Sequence, residues 1–245
     1  MRRLPLLASL ALMVVAAACG GVTREIPIET PIRPKLDVSM FQRVLVAGFL
    51  AGGTDEVDGN TETIRLLRSQ LRNKSDLRVI DADPLPLLEE SGLKQDAAGK
   101  AAIKDEKDLE PREHLFANAD YWKRVGEEYQ NPLIVTGTVM FSPHQRSGYV
   151  QREEEVYDSF GRRRVVPIRS FQERKGYILK PKFVFIDGRT GATLYSETFR
   201  EEVLYNANQS TPALSSYFEL MERLMPSFLN TLSSQKIKGS RVLLQ

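Results

Sequence analysis

Cysteine and histidine are almost absent from this chain, and this limits the chemistry that its side chains can perform. The sequence has one cysteine, Cys19, and two histidines, His114 and His144, among 245 residues. A single cysteine cannot form a disulfide within the chain. Neither histidine has a cysteine or paired carboxylates nearby at the spacing of a metal site. We therefore expect no metal and no cofactor, and we expect both histidines to be ordinary surface or capping residues.

The sequence motifs of common catalytic sites are also missing. No serine lies in a G-x-S-x-G elbow, and residues 48–53 lack both the G-x-G-x-x-G pattern and the lysine of a phosphate-binding loop. A tight turn between a strand and a helix accounts for these glycines better. Carboxylates are abundant, so a hydrolase that uses two acids stays open as an alternative. The favoured interpretation is a protein that is not an enzyme.

No net charge of one sign dominates the chain once its first residues are set aside. There are 34 Lys and Arg side chains against 32 Asp and Glu, and the two extra cations correspond to Arg2 and Arg3. Proteins that bind nucleic acid usually carry a clear basic excess. Nucleic acid is therefore not expected as a partner.

The main apolar run of the sequence, residues 4–18, is too short to span a membrane, which takes about 20 residues. It follows the basic pair Arg2 and Arg3 and ends in three alanines. A basic start, a short apolar run and small residues at the end are the marks of a secretion signal. Residues 1–18 are therefore predicted to be a signal peptide.

Cys19 follows this segment directly, at the expected new N-terminus. An unpaired thiol in an exported protein needs an explanation, and attachment of acyl chains supplies one. We predict a lipoprotein that is held on a membrane through lipidation of Cys19. Inner-membrane lipoproteins often carry Asp at the position of Gly20, so the glycine favours the outer membrane, with the chain facing the periplasm. The alternative is a secreted protein with an incidental free thiol.

Residues 19–40 are predicted to be a tether between the lipid and a folded domain. Pro27, Pro31 and Pro34 interrupt this segment, and neither a helical nor an alternating apolar pattern holds. Prolines favour extended backbone, which suits a spacer. The folded domain is expected over residues 41–233, and residues 234–245 form a basic C-terminal tail.

Short apolar runs alternate with amphipathic segments along the domain, and this order predicts an α/β fold. We expect a mixed β-sheet of about five strands packed by amphipathic helices. Residues 133–141 are the clearest buried strand and should be central in the sheet. The apolar stripes of two helices place Trp122 and Phe218 against that sheet.

Residues 142–176 are predicted to form a charged β-hairpin inserted between core strands. An acidic run at 153–155 and a basic run at 162–164 flank a turn sequence at 158–161. In a hairpin the two runs are expected to lie opposite each other and to attract across the strands. The alternative is a long loop with two solvated charge runs.

The same hairpin is the predicted partner-binding element. Ordered domains tend to place function on long insertions, and aromatic and arginine side chains are enriched at interface hot spots. The candidate residues are Tyr149, Glu153, Glu155, Tyr157, Phe160, Arg162, Arg163 and Arg164. The alternative is a solvated hairpin that binds no partner. In that case residues 52–59 are the next candidate for the partner-binding element.

Three stretches resemble a group of periplasmic domains: residues 44–53 (VLVAGFLAGG), 131–139 (NPLIVTGTV) and 183–196 (FVFIDGRTGATLYS). The group includes the curli-secretion channel lipoprotein, the lipoprotein activators of penicillin-binding proteins and the N-terminal domain of the Tol-Pal translocation protein. The resemblance implies a non-enzymatic lipoprotein that binds a protein or peptidoglycan-associated partner. We expect an envelope adaptor or assembly factor. The alternatives are a subunit of an oligomeric curli-type secretion pore and an unrecognised hydrolase of envelope polymers.

The anchor prediction can be tested by mass and by fractionation. Replacement Cys19→Ser removes the sulfur that carries the lipid, so the chain should lose its acyl mass and leave the membrane fraction. One buried acyl chain gives only marginal binding, so stable retention of the unaltered chain requires several. A soluble unaltered chain with an unmodified thiol would show that the prediction is wrong.

Overall fold

The structure is a computed structural model that describes residues 23–92, 103–206, 209 and 211–244. The predicted signal peptide, Cys19 and the first residues of the predicted tether lie outside the described residues. The chain divides into two compact units. The larger is Pro34–Ser233, and the smaller combines the terminal segments Met1–Arg33 and Ser234–Gln245.

The elements are numbered along the described chain. The strands are β1 Thr23–Ile32, β2 Arg43–Gly53, β3 Arg78–Ile80, β4 Leu133–Tyr157, β5 Arg163–Asp187, β6 Thr193–Thr198, β7 Glu201–Asn206 and β8 Gln235–Leu244. The α-helices are α1 Gly59–Lys74, α2 Leu87–Glu90, α3 Ala119–Glu128 and α4 Ala213–Leu232. Two 3₁₀ segments, Glu106–Asp108 and Glu110–Ala117, precede α3.

The larger unit is built on a six-stranded mixed sheet. Its strands lie in the order β3-β2-β4-β5-β6, and β7 also pairs with β5. The β2–β3 and β2–β4 pairs are parallel, whereas β5 pairs antiparallel with β4, β6 and β7. The structure confirms the predicted α/β fold with a mixed sheet, and it places the predicted central strand, as part of β4, in the middle.

Helices cover both faces of this sheet. Val135 and Val139 of β4 belong to a buried cluster with α1 and α4, whereas Ile134 and Met140 belong to a second cluster with α3. Successive side chains of a strand point to opposite faces. Because both faces are buried here, the core part of β4 has to be apolar at nearly every position, which explains its continuous apolar sequence.

Side-chain caps fix where two of these helices begin. The Asp58 carboxylate accepts a hydrogen bond from the Thr61 backbone N–H at 3.1 Å at the start of α1. The Asn118 side chain accepts one from the Tyr121 N–H, also at 3.1 Å, at the start of α3. Each cap satisfies a backbone donor that has no partner within its helix, so these two residues set the first turns.

The two aromatic residues predicted to pack on the sheet do so. Trp122 of α3 is fully buried, and its ring N–H donates to the Leu115 carbonyl at 2.9 Å. Phe218 of α4 is partly buried against the core cluster on the other face of the sheet. The helical stripes therefore predicted the packing of Trp122 correctly, and Phe218 packs on the sheet with part of its ring exposed.

The terminal segments carry regular structure that differs from the sequence interpretation. β1 and β8 pair antiparallel from Thr23↔Leu244 to Ile32↔Gln235, so parts of the predicted tether and the predicted tail form one two-stranded ribbon. A strand with a free edge tolerates proline, so Pro27 and Pro31 do not prevent pairing. The larger unit also begins at Pro34 rather than at residue 41.

The burial of Trp122 leads to a stability prediction. Trp122→Ala should lower the free energy of unfolding by about 3–5 kcal/mol, because it removes buried apolar area and leaves a cavity. Phe160→Ala is the matched control, since Phe160 is 81% exposed and should cost less than about 0.5 kcal/mol. Urea unfolding of both variants measures the difference. A loss below about 1 kcal/mol for Trp122→Ala would contradict the packing of α3.

Candidate interaction site

Strands β4 and β5 extend well beyond the sheet that they help to build. β2 pairs with β4 only over Leu133–Phe141, and β7 pairs with β5 only over Arg174–Leu179. Between Ser142 and Glu173 the two strands pair only with each other among the described strands. We call residues 142–173 the charged ribbon. It confirms the predicted hairpin, and its β4 side is up to roughly 50 Å long at ~3.3 Å per residue.

The turn of the charged ribbon is organised by one carboxylate. The Asp158 side chain accepts hydrogen bonds from the backbone N–H groups of Phe160 at 3.0 Å and Arg162 at 2.9 Å. It also accepts one from the Arg162 guanidinium at 3.1 Å. Gly161 has a φ of +73°, in the left-handed region that closes many three-residue hairpin loops. The N–H donated by Arg162 is the main reason why the pKa of Asp158 lies below its ordinary value.

This turn also sets the register of the charged ribbon. Asp158 pairs with Arg162 across the loop, so Tyr157 lies opposite Arg163 and Glu154 lies opposite Val166. The prediction that the acidic and basic runs lie directly opposite each other is therefore wrong. The runs attract diagonally instead, through an ion pair between Glu155 and Arg163. The physical reason is the short loop, which brings the arginines alongside the last residues of β4 rather than alongside the glutamates.

Pairing distributes the predicted partner-binding residues over two faces and the turn. Directly paired residues share a face, and neighbours along a strand alternate. One face carries Tyr149, Glu153, Glu155, Tyr157 and Arg163. Arg164, opposite Val156, lies on the other face. Phe160 and Arg162 lie in the turn, where the guanidinium carbon is 5.4 Å from the centre of the Phe160 ring. The structure thus brings together five of the eight residues predicted from the sequence.

The exposed apolar side chains of the described residues are concentrated on the charged ribbon. Of fourteen large apolar side chains that are exposed, nine lie there, including all four aromatic ones. Tyr149 and Phe171 pair across the strands with ring centres 5.5 Å apart, and both remain largely exposed. Exposed apolar side chains that cluster on one part of a protein surface usually mark an interaction site. The charged ribbon is therefore the main candidate interaction surface.

Sequence reasoning missed the aliphatic members of this surface. They are Val150, Val156, Val165, Val166 and Ile168, each at least 39% exposed. In the sequence these aliphatic residues are scattered among charged residues in both halves of the hairpin. The charge runs dominate the sequence there, and only the register shows which valines share a face with the aromatic pair.

Two open grooves lie at the base of the charged ribbon. One, of about 470 Å³, is lined by Pro143, His144, Lys175, Tyr177 and Tyr205 among others. The second, of about 710 Å³, is lined by both lysines and carboxylates of residues 104–110. Within it, Glu106 pairs with Lys180 at 2.6 Å. Opposite charges neutralise each other along this groove, so it offers no patch of one sign to a ligand.

His144 lies in strand β4 and lines both grooves. Its Nε2 atom is 3.7 Å from a carboxylate oxygen of Glu202. The guanidinium groups of Arg146 and Arg200 approach the same carboxylate at 3.9 and 3.8 Å. His114, the other histidine, contacts the Pro111 carbonyl through Nδ1 at 2.7 Å. His144 therefore contacts a carboxylate of β7, and His114 contacts a backbone carbonyl of its own 3₁₀ segment.

Within residues 23–92, 103–206 and 211–244, no three His, Cys, Asp or Glu side chains are grouped as a metal site would require. Of the helices that the structure describes, none has both the length and the apolar character needed to cross a bilayer.

Comparison with known proteins gives similarity at the level of solved structures. No protein-family model and no curated protein sequence matches the chain. A PelC dodecamer from Paraburkholderia phytofirmans is 16% identical, with 85% of this chain and 100% of that one aligned at a TM-score of 0.36. A variant of that dodecamer in another crystal form is 13% identical, with 88% of this chain and 99% of that one aligned at a TM-score of 0.37.

Lipoprotein GNA1162 from Neisseria meningitidis is also similar, with 13% identity, 77% and 98% coverage and a TM-score of 0.36. These values are too low to assign this chain to a family. These three structures do not test the sequence resemblance, which stays a prediction.

The turn geometry predicts the acid behaviour of the charged ribbon. Because the folded pKa of Asp158 is lowered, its stabilising effect is complete above the unfolded value of about 3.9 and is lost as the pH falls through the folded pKa. NMR titration should show Asp158 titrating below about 3.9. In Asp158→Asn the amide oxygen can still accept the turn hydrogen bonds, so the Arg162 amide signal should lose this pH dependence. Titration at or above the ordinary value would contradict the turn geometry.

Proposed function

We propose that the protein is a lipid-anchored adaptor or assembly factor of the cell envelope that captures a protein partner with its charged ribbon. The proposal joins two lines of support. The predicted secretion signal at residues 1–18 and the lone Cys19 support an anchored, exported chain. The exposed aromatic and aliphatic side chains of the charged ribbon support binding, and this concentration is the observation that carries the proposal.

The backbone of the charged ribbon favours a protein as partner. Residues 142–157 of β4 and 163–173 of β5 each have one edge without a described strand beside it. Such an edge offers a row of N–H and C=O groups that another polypeptide can pair with, as in β-strand addition. A polysaccharide has no matching row of amides. A protein partner, including one associated with peptidoglycan, therefore fits this surface better than a glycan alone.

The side chains then select among possible partners. Tyr149, Phe171 and Tyr157 provide exposed ring area on one face, and aromatic groups dominate binding energy when a partner buries them. Glu155 and Arg163 already pair on that face, so it presents one charge of each sign. These two charges can orient a partner that carries complementary charges, whatever the partner's net charge is. Binding through such a surface needs no catalytic group, so the proposed role is non-enzymatic.

Ribbon removal tests the role of this element. The register allows replacement of residues 152–168 by Asn-Gly, which keeps Gln151 paired with Arg169 and closes the strands with a tight turn. Buried core strands do not need these residues, so the urea midpoint should change little. Partners crosslinked to the unaltered chain in intact envelopes, and identified by mass spectrometry, should be lost from the shortened chain.

A point variant separates side-chain recognition from the mere presence of the ribbon. Tyr149→Ser with Phe171→Ser should weaken binding of the identified partner at least ~10-fold, about 1.4 kcal/mol. Leu194→Ser is the matched control, because Leu194 is an exposed apolar residue of β6, outside the charged ribbon. Unchanged affinity in both the shortened chain and the double variant would refute the proposal. Ring-shaped oligomers of the unaltered chain in detergent would instead support the secretion-pore subunit.

A further inference from the structure

The ribbon formed by β1 and β8 is amphipathic. Along β1, Ile26, Ile28 and Ile32 alternate with Glu25 and Glu29, so the isoleucines share one face and the glutamates the other. Thr30 interrupts the isoleucines on their face, and Pro27 and Pro31 alternate with the glutamates on the other. We call the two sides of this terminal ribbon its isoleucine face and its polar face.

The partner strand continues the same division. Lys238 pairs directly with Glu29, and the Lys236 ammonium lies 3.1 Å from the Glu29 carboxylate, so the polar face carries a paired set of charges. Gly239 lies opposite Ile28, and Arg241 lies opposite Ile26. The exposed side chain of Arg241 therefore lies on the isoleucine face, near the beginning of β1.

The isoleucine face is open. Ile26 is 39% exposed and Ile28 is 38% exposed. Within the described residues this two-stranded sheet has no third strand. A two-stranded ribbon cannot bury an apolar face on its own, and its stability in water is marginal. Another apolar phase or surface is needed to cover these side chains.

The position of β1 in the chain favours a lipid bilayer as that phase. Thr23, the first residue of β1, is four residues after Cys19. Four residues reach at most about 14 Å, since an extended chain spans ~3.3–3.6 Å per residue. The headgroup layer on one side of a bilayer is roughly 5–8 Å thick. If Cys19 carries the acyl chains, the beginning of β1 is held within or just above this layer.

We infer that the isoleucine face of the terminal ribbon lies on the lipid bilayer surface. This inference rests on the proposed lipid anchor at Cys19. Amphipathic elements bury an apolar face about 5–10 Å deep at the boundary of headgroups and acyl chains. Ile26 and Ile28 reach into that boundary, and Arg241 reaches the phosphate groups of the lipids, which a guanidinium binds well. The paired charges of Glu29, Lys236 and Lys238 face water.

Fluorescence quenching in vesicles tests the inference. Cys19 is the only cysteine, so its acylation leaves an introduced cysteine as the sole thiol for a polarity-sensitive fluorophore. The acylated full chain is labelled at Ile28→Cys or at Glu29→Cys and bound to vesicles of phosphatidylethanolamine and phosphatidylglycerol. Quenchers attached to the lipids should quench the label at position 28 several-fold more than the label at position 29.

Two further substitutions make the test specific to the isoleucine face. Ile26→Asp places a carboxylate on that face and should reduce quenching at position 28 to the level seen at position 29. Pro27→Asp places the same group on the polar face and should leave quenching at position 28 unchanged. The two variants introduce the same charge at adjacent positions of β1, one on each face.

The outcomes separate this inference from the anchor on which it rests. If the labelled chains float with the vesicles but positions 28 and 29 are quenched equally, the anchor stands and the surface contact is wrong. If the chains do not float and Cys19 carries no acyl mass, the anchor proposal fails and the inference fails with it.

Discussion

The antiparallel pairing of β4 with β5 is the interaction on which the rest of the larger unit depends. Each strand is 25 residues long, and the two stay in register from Leu133↔Asp187 to Tyr157↔Arg163. One half of the pair is the centre of the buried sheet, and the other half is the charged ribbon. A strand has a side-chain period of two, so the buried half fixes which face each residue of the exposed half occupies. The core pairing at one end and the Asp158 turn at the other therefore specify the geometry of the candidate site together.

Much of the fold could be predicted because its signals are local. The apolar run at the start of β4 and the helical stripe that contains Trp122 each lie within one stretch of sequence. Pairing between distant segments has no such signal, and β1 pairs with β8 from the opposite end of the chain. Gly52 and Gly53 look like a loop in the sequence but end strand β2 beside Met140 and Phe141. A Cβ at Gly53 would clash with the Phe141 carbonyl. Glycine is therefore needed there because the two strands approach each other closely, and not because the chain turns.

The candidate site was predictable in composition but not in arrangement. Tyr149, Tyr157 and Phe160 are exposed as expected, and the turn sequence lies where the hairpin reverses. The register depends on hydrogen bonds of Asp158 that a count of charges does not contain. This register places Arg163 diagonal to Glu155 rather than directly opposite it, and it separates Arg164 from the face that carries the tyrosines. A partner that covers one face would thus contact five of the eight predicted residues.

The charges of the ribbon have a physical role beside recognition. An exposed two-stranded ribbon with aromatic side chains and free edges would tend to associate with copies of itself. Glutamates and arginines on both faces oppose this, because uncontrolled stacking would have to remove them from water without matched partners. Diagonal pairs such as Glu155 with Arg163 keep the free ribbon nearly neutral locally while the rings stay accessible. A suitable partner covers the exposed rings and also supplies polar groups that pair with the glutamates and arginines. A purely apolar partner would leave those charges buried without partners. Charge pattern and aromatic exposure thus act together to limit which proteins can bind.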